Sequence, residues 1–241
     1  MGRTFENRKQ AILKRSDRDA KAFSRVGRQI NMAVKAGGSD ADHNPALRRA
    51  MQNARAVNMP KDKVQAAIDK AMGVGDAADY QTIVYEGYGP HGVAVLVETA
   101  TDNPTRTVAN IRFAFKKGNG NLGNAGSVSF LFDHVGVFRL SPDGIERDEL
   151  ELELIDHGLQ DLLDGQDEHE KPVLILRCAH DDFGQLQAAL ETKGLAIVSS
   201  GFEWVPKTTP ELADAEIDAV LELVERLEQD DDVQAVFTTL G

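Results

Sequence analysis

Apolar and polar residues alternate with two different periods along this chain of 241 residues. Up to about residue 75, apolar side chains recur every three or four residues, which predicts three amphipathic helices. The first covers about residues 17–35, the second follows Asn44 as its N-cap, and the third begins at Pro60. Residues 1–15 hold few apolar positions and predict a mobile basic arm or a frayed helix. Because such helices can bury their stripes only against one another, they predict a small bundle.

After residue 80 the pattern changes to short apolar runs that are typical of strands. Residues 82–86 and 93–99 are predicted strands, and a turn rich in glycine lies between them. A helix is predicted after Asp102 or Asn103, with Pro104 in its first turn. The glycine-rich segment 118–126 then separates this helix from a predicted strand at 127–132.

The following segment shows strands and helices in the order β-α-β-β-α-β, which is that of a ferredoxin-like unit. A final helix, capped by Thr209, and a final strand have no partners of their own. The predicted elements are strands at 135–140, 159–163, 172–179, 195–205 and 233–238, and helices at 145–158, 182–194 and from 210 onward.

The central segment has only one helix to cover its sheet, and the last helix and strand can complete it. The sequence therefore predicts an α+β protein with an N-terminal three-helix domain followed by two α/β domains. The domains are expected at residues 1–75, at 80–133 plus 205–241, and at 134–204, the last a ferredoxin-like β-α-β-β-α-β unit inserted into the middle one. Residues 73–79 are the expected linker.

The net charge of −12 is unevenly distributed. Residues 1–75 contain 16 Lys/Arg and 7 Asp/Glu, whereas residues 76–241 contain 11 and 32. This split suggests that only the first part meets a polyanion. Residues 143–170 hold twelve acidic residues and one basic residue, and we interpret them as a solvated face rather than a docking surface for another protein.

The basic residues near the N-terminus are the candidate nucleic-acid contacts. Basic side chains release counterions when they meet phosphates, and this term dominates non-specific affinity. The competing interpretation is a solvated helix face. The long turn at 37–44 does not suit a helix-turn-helix motif, so phosphate contact is expected without a clear base-reading helix. The candidates are Arg3, Arg8, Lys9, Lys14, Arg15, Arg18, Lys21, Arg25 and Arg28.

Other chemistry finds little support in the residues. The segment 118–126 lacks the G-K-[ST] ending of a P-loop and precedes a strand, so a structural loop is favoured over the nucleotide site of an enzyme. The six histidines are scattered, so neither a metal site nor a cofactor is predicted. Residues 230–232, all aspartate, are interpreted as a solvated turn. No catalytic residue is proposed.

The chain contains one cysteine, Cys178, in an apolar run. It allows no intrachain disulfide, and we expect a buried, inert thiol. This usage of cysteine favours the cytoplasm. No apolar run approaches the roughly 18 residues that cross a bilayer, so no membrane partner is expected.

Three sequence blocks resemble the signature of the YebC/PmpR family, which includes the mitochondrial translational activator of cytochrome oxidase. They are Y-E-G-Y-G-P-H-G at 85–92, T-D-N-P-T-R-T at 101–107 and G-N-L-G-N-A-G-S-V at 120–128. Many relatives begin with a G-H-S-K-W block, and this chain departs from it at residues 2–6. Candidate partner contacts in the loops of this region are Tyr88, His91, Arg106, Asn119 and Asn121. The equal alternative for residues 85–92 is that they only shape a tight turn.

The resemblance implies a helical domain followed by two α/β domains, and a non-enzymatic regulator of gene expression. One implied role is DNA-binding transcriptional regulation. The alternative is action on the ribosome through ribosomal RNA, relieving stalls at difficult sequences such as proline runs. An acidic body with a basic helical head suits either polyanion, and both roles stay open at this point.

Overall fold

The computed structural model describes residues 2–73, 79–167 and 169–240, with side chains from residue 19 onward. The chain divides into two compact units, Met1–Tyr80 and Gln81–Gly241. Most of the predicted linker at 73–79 lies outside the described residues. In the part of the chain that the structure describes, no helix combines the length and the apolar character that crossing a membrane requires.

The first unit contains three helices: α1 (Gly2–Gly37), α2 (Pro45–Ala56) and α3 (Lys61–Ala71). The prediction that the first helix begins near residue 17 is wrong, because α1 is continuous from Gly2. Its buried residues Val26 and Ile30 face Leu47 of α2 and Ile68 of α3 in one apolar cluster. The expected helical bundle is therefore confirmed.

Asn44 joins α1 to α2 by satisfying backbone groups of both helices. Its Oδ1 accepts the backbone N–H of Leu47 at 3.0 Å, as the predicted N-cap should. Its Nδ2 donates to the carbonyl oxygens of Ala33 and Gly38, each at 2.8 Å. A side chain at Gly37 would collide with Asn44, since a Cβ atom at that position would lie 2.8 Å from Nδ2.

The second unit contains two antiparallel sheets of four strands each in the described residues, with strand orders β3-β1-β2-β8 and β5-β6-β4-β7. The elements in chain order are β1 (Gln81–Tyr88), β2 (Ala94–Thr101), α4 (Pro104–Lys117), β3 (Asn121–Leu122), β4 (Phe132–Leu140), α5 (Arg147–Ile155), β5 (Leu159–Gln166), β6 (Pro172–Ala179), α6 (Phe183–Thr192), β7 (Ile197–Pro206), α7 (Asp214–Glu228) and β8 (Val233–Thr238).

The first sheet combines strands from the middle and from the end of the chain. The last strand, β8, lies beside β2, with Val95 opposite Thr238. Helices α4 and α7 supply Phe115 and Leu223 to the core that covers one face of this sheet. The exact domain boundaries proposed from the sequence stay a prediction.

The second sheet belongs to the unit β4-α5-β5-β6-α6-β7, and its strand order is the one that a ferredoxin-like unit adopts. Leu154 of α5 and Leu186 of α6 pack on the same face as Phe138 of β4. The predicted α+β class is confirmed. The indole Nε1 of Trp204 on β7 donates to Glu98 on β2 at 2.8 Å, which connects the two sheets.

Apart from the start of α1 and shifts of a few residues at other ends, two elements of the second unit differ from the prediction. The strand expected at 127–132 is wrong: Ser129–Leu131 forms a short 3-10 turn, and β4 begins at Phe132. The last helix begins at Asp214 rather than after Thr209. Its start is set by Glu216, whose carboxylate accepts the backbone N–H of Ala213 at 2.9 Å, a bond that Thr209 does not provide.

The close packing around Gly120 generates a stability prediction. A Cβ at this position would lie 2.6 Å from the carbonyl oxygen of Tyr88 and 3.1 Å from the Phe115 ring. Because backbone cannot yield as a flexible side chain can, we expect Gly120→Ala to lower the free energy of unfolding by about 1–3 kcal/mol in urea denaturation. Gly184→Ala on α6 is the control, since its Cβ meets nothing within 4 Å. An equal loss in both variants would contradict the packing argument.

Candidate functional site

The basic residues of α1 are the first candidate site. Positions 14, 18, 21, 25 and 28 are alternately four and three residues apart, and in an α-helix of about 3.6 residues per turn this spacing forms one stripe. Lys21, Arg25 and Arg28 of this stripe are half-buried. The side chains of the other candidates, Arg3, Arg8, Lys9, Lys14, Arg15 and Arg18, lie outside the described residues.

Helices α2 and α3 carry four exposed basic residues that were not among the predicted contacts. They are Arg55, Lys61, Lys63 and Lys70. Lys63 also contacts α1, with its Nζ 4.9 Å from the centroid of the Phe23 ring. These residues lie outside the apolar stripes of two amphipathic helices. This placement was the signal in the sequence that could have indicated that they are exposed. They add to the positive charge that this unit can present to a polyanion.

The second candidate region is built around a buried carboxylate that the sequence analysis did not single out. Glu86 on β1 is 7% exposed. Its Oε1 accepts the backbone N–H of Gly126 at 2.7 Å, and its Oε2 accepts those of Val128 and Ser129 at 2.8 Å each. Burial by itself would raise the pKa of Glu86, but these donors outweigh it and lower the pKa. Glu86 thus fixes the end of the glycine-rich loop.

This arrangement also decides how the glycine-rich loop can act. Phosphate-binding loops work by offering several backbone N–H groups to an anion. Here the carboxylate of Glu86 already accepts three such groups. The N–H groups of Gly126, Val128 and Ser129 are therefore occupied within the fold and are not offered to a nucleotide. Their acceptor lies on a distant strand, so no local motif in the sequence shows it.

The predicted contact residues are only partly brought together. Tyr88 and Asn121 lie opposite each other on β1 and β3, and Asn119 lies next to β3 with a positive φ of 54°. All three are exposed, although the hydroxyl of Tyr88 donates to the carbonyl oxygen of Ser127 at 3.3 Å. His91 lies in the turn after β1, and its Nδ1 is 3.2 Å from Glu216 of α7.

The guanidinium of Arg106 forms ion pairs within the fold and does not join the other predicted contact residues on the loop surface. Its Nη2 donates to Asp102 at 2.9 Å and to Asp232 at 2.8 Å. Asp232 is only 2% exposed, so the prediction of a solvated turn at 230–232 is wrong at this position. Burial would raise its pKa, but hydrogen bonds from Arg106 and Thr107 lower it instead. This network holds α4 against the start of β8.

The described residues bear on two further kinds of site, a reactive thiol and a metal centre. Cys178 is buried, as expected, and burial raises the pKa of its thiol to about 11. A thiol with such a pKa is protonated at neutral pH and is a poor nucleophile. Within the described ranges, no three His, Cys, Asp or Glu side chains are grouped so that they could hold a metal ion.

Replacing the anchor of the loop should make stability depend on pH. We expect Glu86→Gln to lower the free energy of unfolding by about 1–3 kcal/mol at pH 7, because an amide cannot accept all three N–H bonds and lacks the charge. The folded-state pKa of Glu86 is lowered. The contribution of the carboxylate is therefore complete above its unfolded pKa of about 4.3 and is lost as the pH falls through the folded value.

Urea denaturation across this range measures the difference between the two proteins, which should shrink below about pH 4. Hydrogen exchange at Gly126–Ser129 should accelerate in the variant at neutral pH. The matched control is Glu222→Gln, on the exposed side of α7. A difference that stays constant as the pH falls would contradict the anchoring role.

A second replacement tests the network around Asp232. Arg106→Ala removes the charge partner of a buried carboxylate, and we expect a loss of about 1–3 kcal/mol in the free energy of unfolding. Arg112→Ala on the same helix is the control, since its exposed side chain has no carboxylate partner among the described residues. Equal effects of the two variants in urea denaturation would reject the network as a source of stability.

Two family models and several full-length relatives match this chain. Residues 3–74 match the family model described as the TACO1/YebC protein N-terminal domain, and residues 80–240 match the one described as the TACO1/YebC second and third domain. The chain is 57% identical over its full length to a "Probable transcriptional regulatory protein" of Myxococcus xanthus, and 56% identical to one of the same name from Anaeromyxobacter dehalogenans. Each alignment covers the whole of both chains.

A solved structure supports the same assignment. The crystal structure of a conserved hypothetical protein from Aquifex aeolicus is similar, with a TM-score of 0.79 and 33% sequence identity. The similarity covers 91% of this chain and 89% of that one. Together, the two matched family models, the full-length relatives and the shared fold show that the chain belongs to the TACO1/YebC family.

Proposed function

We propose that this protein regulates transcription by binding DNA through its N-terminal helical unit, and that it acts by binding rather than by catalysis. The names of its full-length relatives support the regulatory part of the proposal. The physical support is the separation of charge between the two units. Its single buried cysteine suits the reducing cytoplasm, which we take as its location.

The basic stripe on α1 is the observation that carries the proposal. Residues 1–35 contain ten Lys/Arg and three Asp/Glu, and the helix continues from Gly2 through this whole segment. A long, positively charged helix can follow phosphates along a groove or a backbone. The acidic remainder of the chain is repelled by the same phosphates. The two effects together favour a defined orientation, with α1 toward the nucleic acid.

The charge pattern supports phosphate contact more strongly than base reading. Phosphate contacts position a protein on a duplex but carry no sequence information. We therefore expect most of the affinity to depend on salt and little of it on sequence, unless a partner adds specificity. Ribosomal RNA offers the same phosphates, so action in translation is the alternative outcome of the same experiments.

Charge reversal at the start of α1 tests the contact. We expect the variant Arg8→Glu, Lys9→Glu, Lys14→Glu, Arg15→Glu to bind duplex DNA more weakly and to show a smaller slope of log affinity against log salt. Each lost phosphate contact reduces this slope by about 0.9 for a duplex, so up to roughly 3–4 in total is expected. Fluorescence anisotropy from low to physiological salt measures it.

The matched control reverses four basic residues of the acidic unit: Lys171, Lys193, Lys207 and Arg226. It changes the net charge equally, so it separates the loss of contacts from general repulsion. An unchanged slope in the α1 variant would reject α1 as the contact. Sedimentation with ribosomes, with no retention on promoter duplexes, would instead assign the protein to translation.

A further inference from the structure

The last turns of α4 carry a basic and aromatic surface inside the acidic unit. We define this α4 surface as Arg112, Phe113, Lys116 and Lys117. At about 100° per residue, these four positions span an arc of about 140° on the helix. The opposite side of α4 is buried through Ile111 and Phe115. The fold therefore holds the helix in place and leaves the α4 surface outward.

Phe113 is the unusual member of this surface. Its side chain is 61% exposed, although a phenyl ring is normally placed in a core. The Nζ of Lys117 lies 5.5 Å from the centroid of the ring, one helical turn further on. The ring thus has a cation beside it and most of its surface open to solvent.

The charges of the α4 surface form no ion pairs with the described residues. Residues 81–241 contain 11 Lys/Arg and 30 Asp/Glu, so carboxylate partners are abundant. In the described part of this unit, five of the cations form ion pairs: Arg106, Arg139, Arg147, Lys193 and Lys207. The other six of the eleven cations form no ion pair with a described residue, and three of these six are Arg112, Lys116 and Lys117.

A cation near the end of a helix interacts well with the helix dipole, which accounts for part of this charge. It does not account for an exposed aromatic ring among the cations. The combination of a ring and neighbouring positive charge is how proteins hold single-stranded nucleic acid: a base stacks on the ring, and the flanking phosphates meet the cations.

The glycine-rich loop extends the α4 surface with hydrogen-bonding groups. The backbone N–H of Gly120 donates to the carbonyl oxygen of Phe115 at 2.8 Å, so the loop folds against the end of the helix. Asn119 and Asn121 are exposed on either side of this contact. An amide side chain can both donate to and accept from the edge of an unpaired base. Glu86 fixes the far end of the loop.

We propose that the α4 surface, with the adjoining Asn119 and Asn121, binds single-stranded nucleic acid. Phe113 stacks on an unpaired base, and Arg112, Lys116 and Lys117 contact the phosphates on either side of it. A duplex keeps its base faces stacked inside and cannot use Phe113 in this way. The proposal rests on residues 112–121 and holds whether or not α1 contacts DNA.

The decisive variant is Phe113→Ala in the full-length chain. Fluorescence anisotropy is measured with three labelled probes of stated composition: a 12-nucleotide oligouridylate, the corresponding oligothymidylate and a 20-base-pair DNA duplex. We expect a loss of roughly 5- to 100-fold in affinity for the single strands, which is the usual effect of removing a stacked aromatic residue. Affinity for the duplex should change less than about twofold, since the ring has no base face to meet there.

The replacement Phe113→Trp is the conservative counterpart and should keep single-strand affinity, because stacking needs an aromatic face and not a particular ring. Leu152→Ala on α5 is the matched control: Leu152 is 72% exposed but lies among acidic residues. We expect it to leave binding to every probe unchanged. All variants should keep the melting temperature of the unaltered chain, since each altered side chain is exposed.

A charge reversal tests the phosphate contacts separately. In the variant Arg112→Glu, Lys116→Glu, Lys117→Glu, the slope of log affinity for the single strands against log salt should fall by about 2, since each phosphate contributes about 0.7. Repeating the series in the α1 charge-reversal background removes any contribution from α1. A failure of duplex binding alone would overturn the DNA-binding proposal but not this one.

Three results would overturn the assignment of the α4 surface. One is single-strand affinity that is unchanged in Phe113→Ala. Another is an equal loss in Leu152→Ala, which would indicate a general effect of surface truncation. The third is an equal loss of duplex and single-strand binding when the charges of the α4 surface are reversed in the α1 charge-reversal background. That result would identify a merely electrostatic contact. A preference between the RNA and DNA single strands identifies the source of the ligand.

Discussion

The structure of the second unit depends on buried carboxylates that must find hydrogen-bond donors. A loop rich in glycine and asparagine has little apolar surface to hold it in place, and its backbone N–H groups need acceptors. Glu86 meets both needs with three charge-assisted hydrogen bonds from one side chain. Asp232 does the same for the start of α4, through Arg106, Thr101 and Thr107. Together they fix both ends of the α4 and loop region.

This anchoring at both ends bears on the proposed site for single-stranded nucleic acid. A site for a flexible polymer is more effective when its own groups are ordered before binding, because less conformational entropy is then lost. The α4 surface lies on a helix whose two ends are both held by the fold. The contact that we propose for the basic stripe of α1 is of a different kind, since diffuse attraction to phosphates needs charge density more than fixed geometry. The two proposed contacts would thus combine a long-range electrostatic element with a compact surface that is held by the fold.

The sequence predicted the number and order of the helices and two of their caps, because these depend on neighbours in the chain. Asn44 acts as an N-cap for a backbone group three residues ahead, as predicted, and of the two candidates Asp102 and Asn103 it is Asn103 that caps α4 in the same way. The ferredoxin-like order was visible in the alternation of apolar runs. The start of the last helix was missed because Glu216, inside the helix, decides it rather than the proline after Thr209.

The sequence by itself determined the charge separation, the helical head and the α+β class, since composition and periodicity are local properties of the chain. Only the tertiary structure decided what the loops and the acidic residues do. Glu86 lies 40 residues from Gly126, and Arg106 lies 126 residues from Asp232, so no local pattern could pair them. Asp232 was expected to be solvated but is buried and has a structural role, because a carboxylate inside a protein requires hydrogen-bond donors around it.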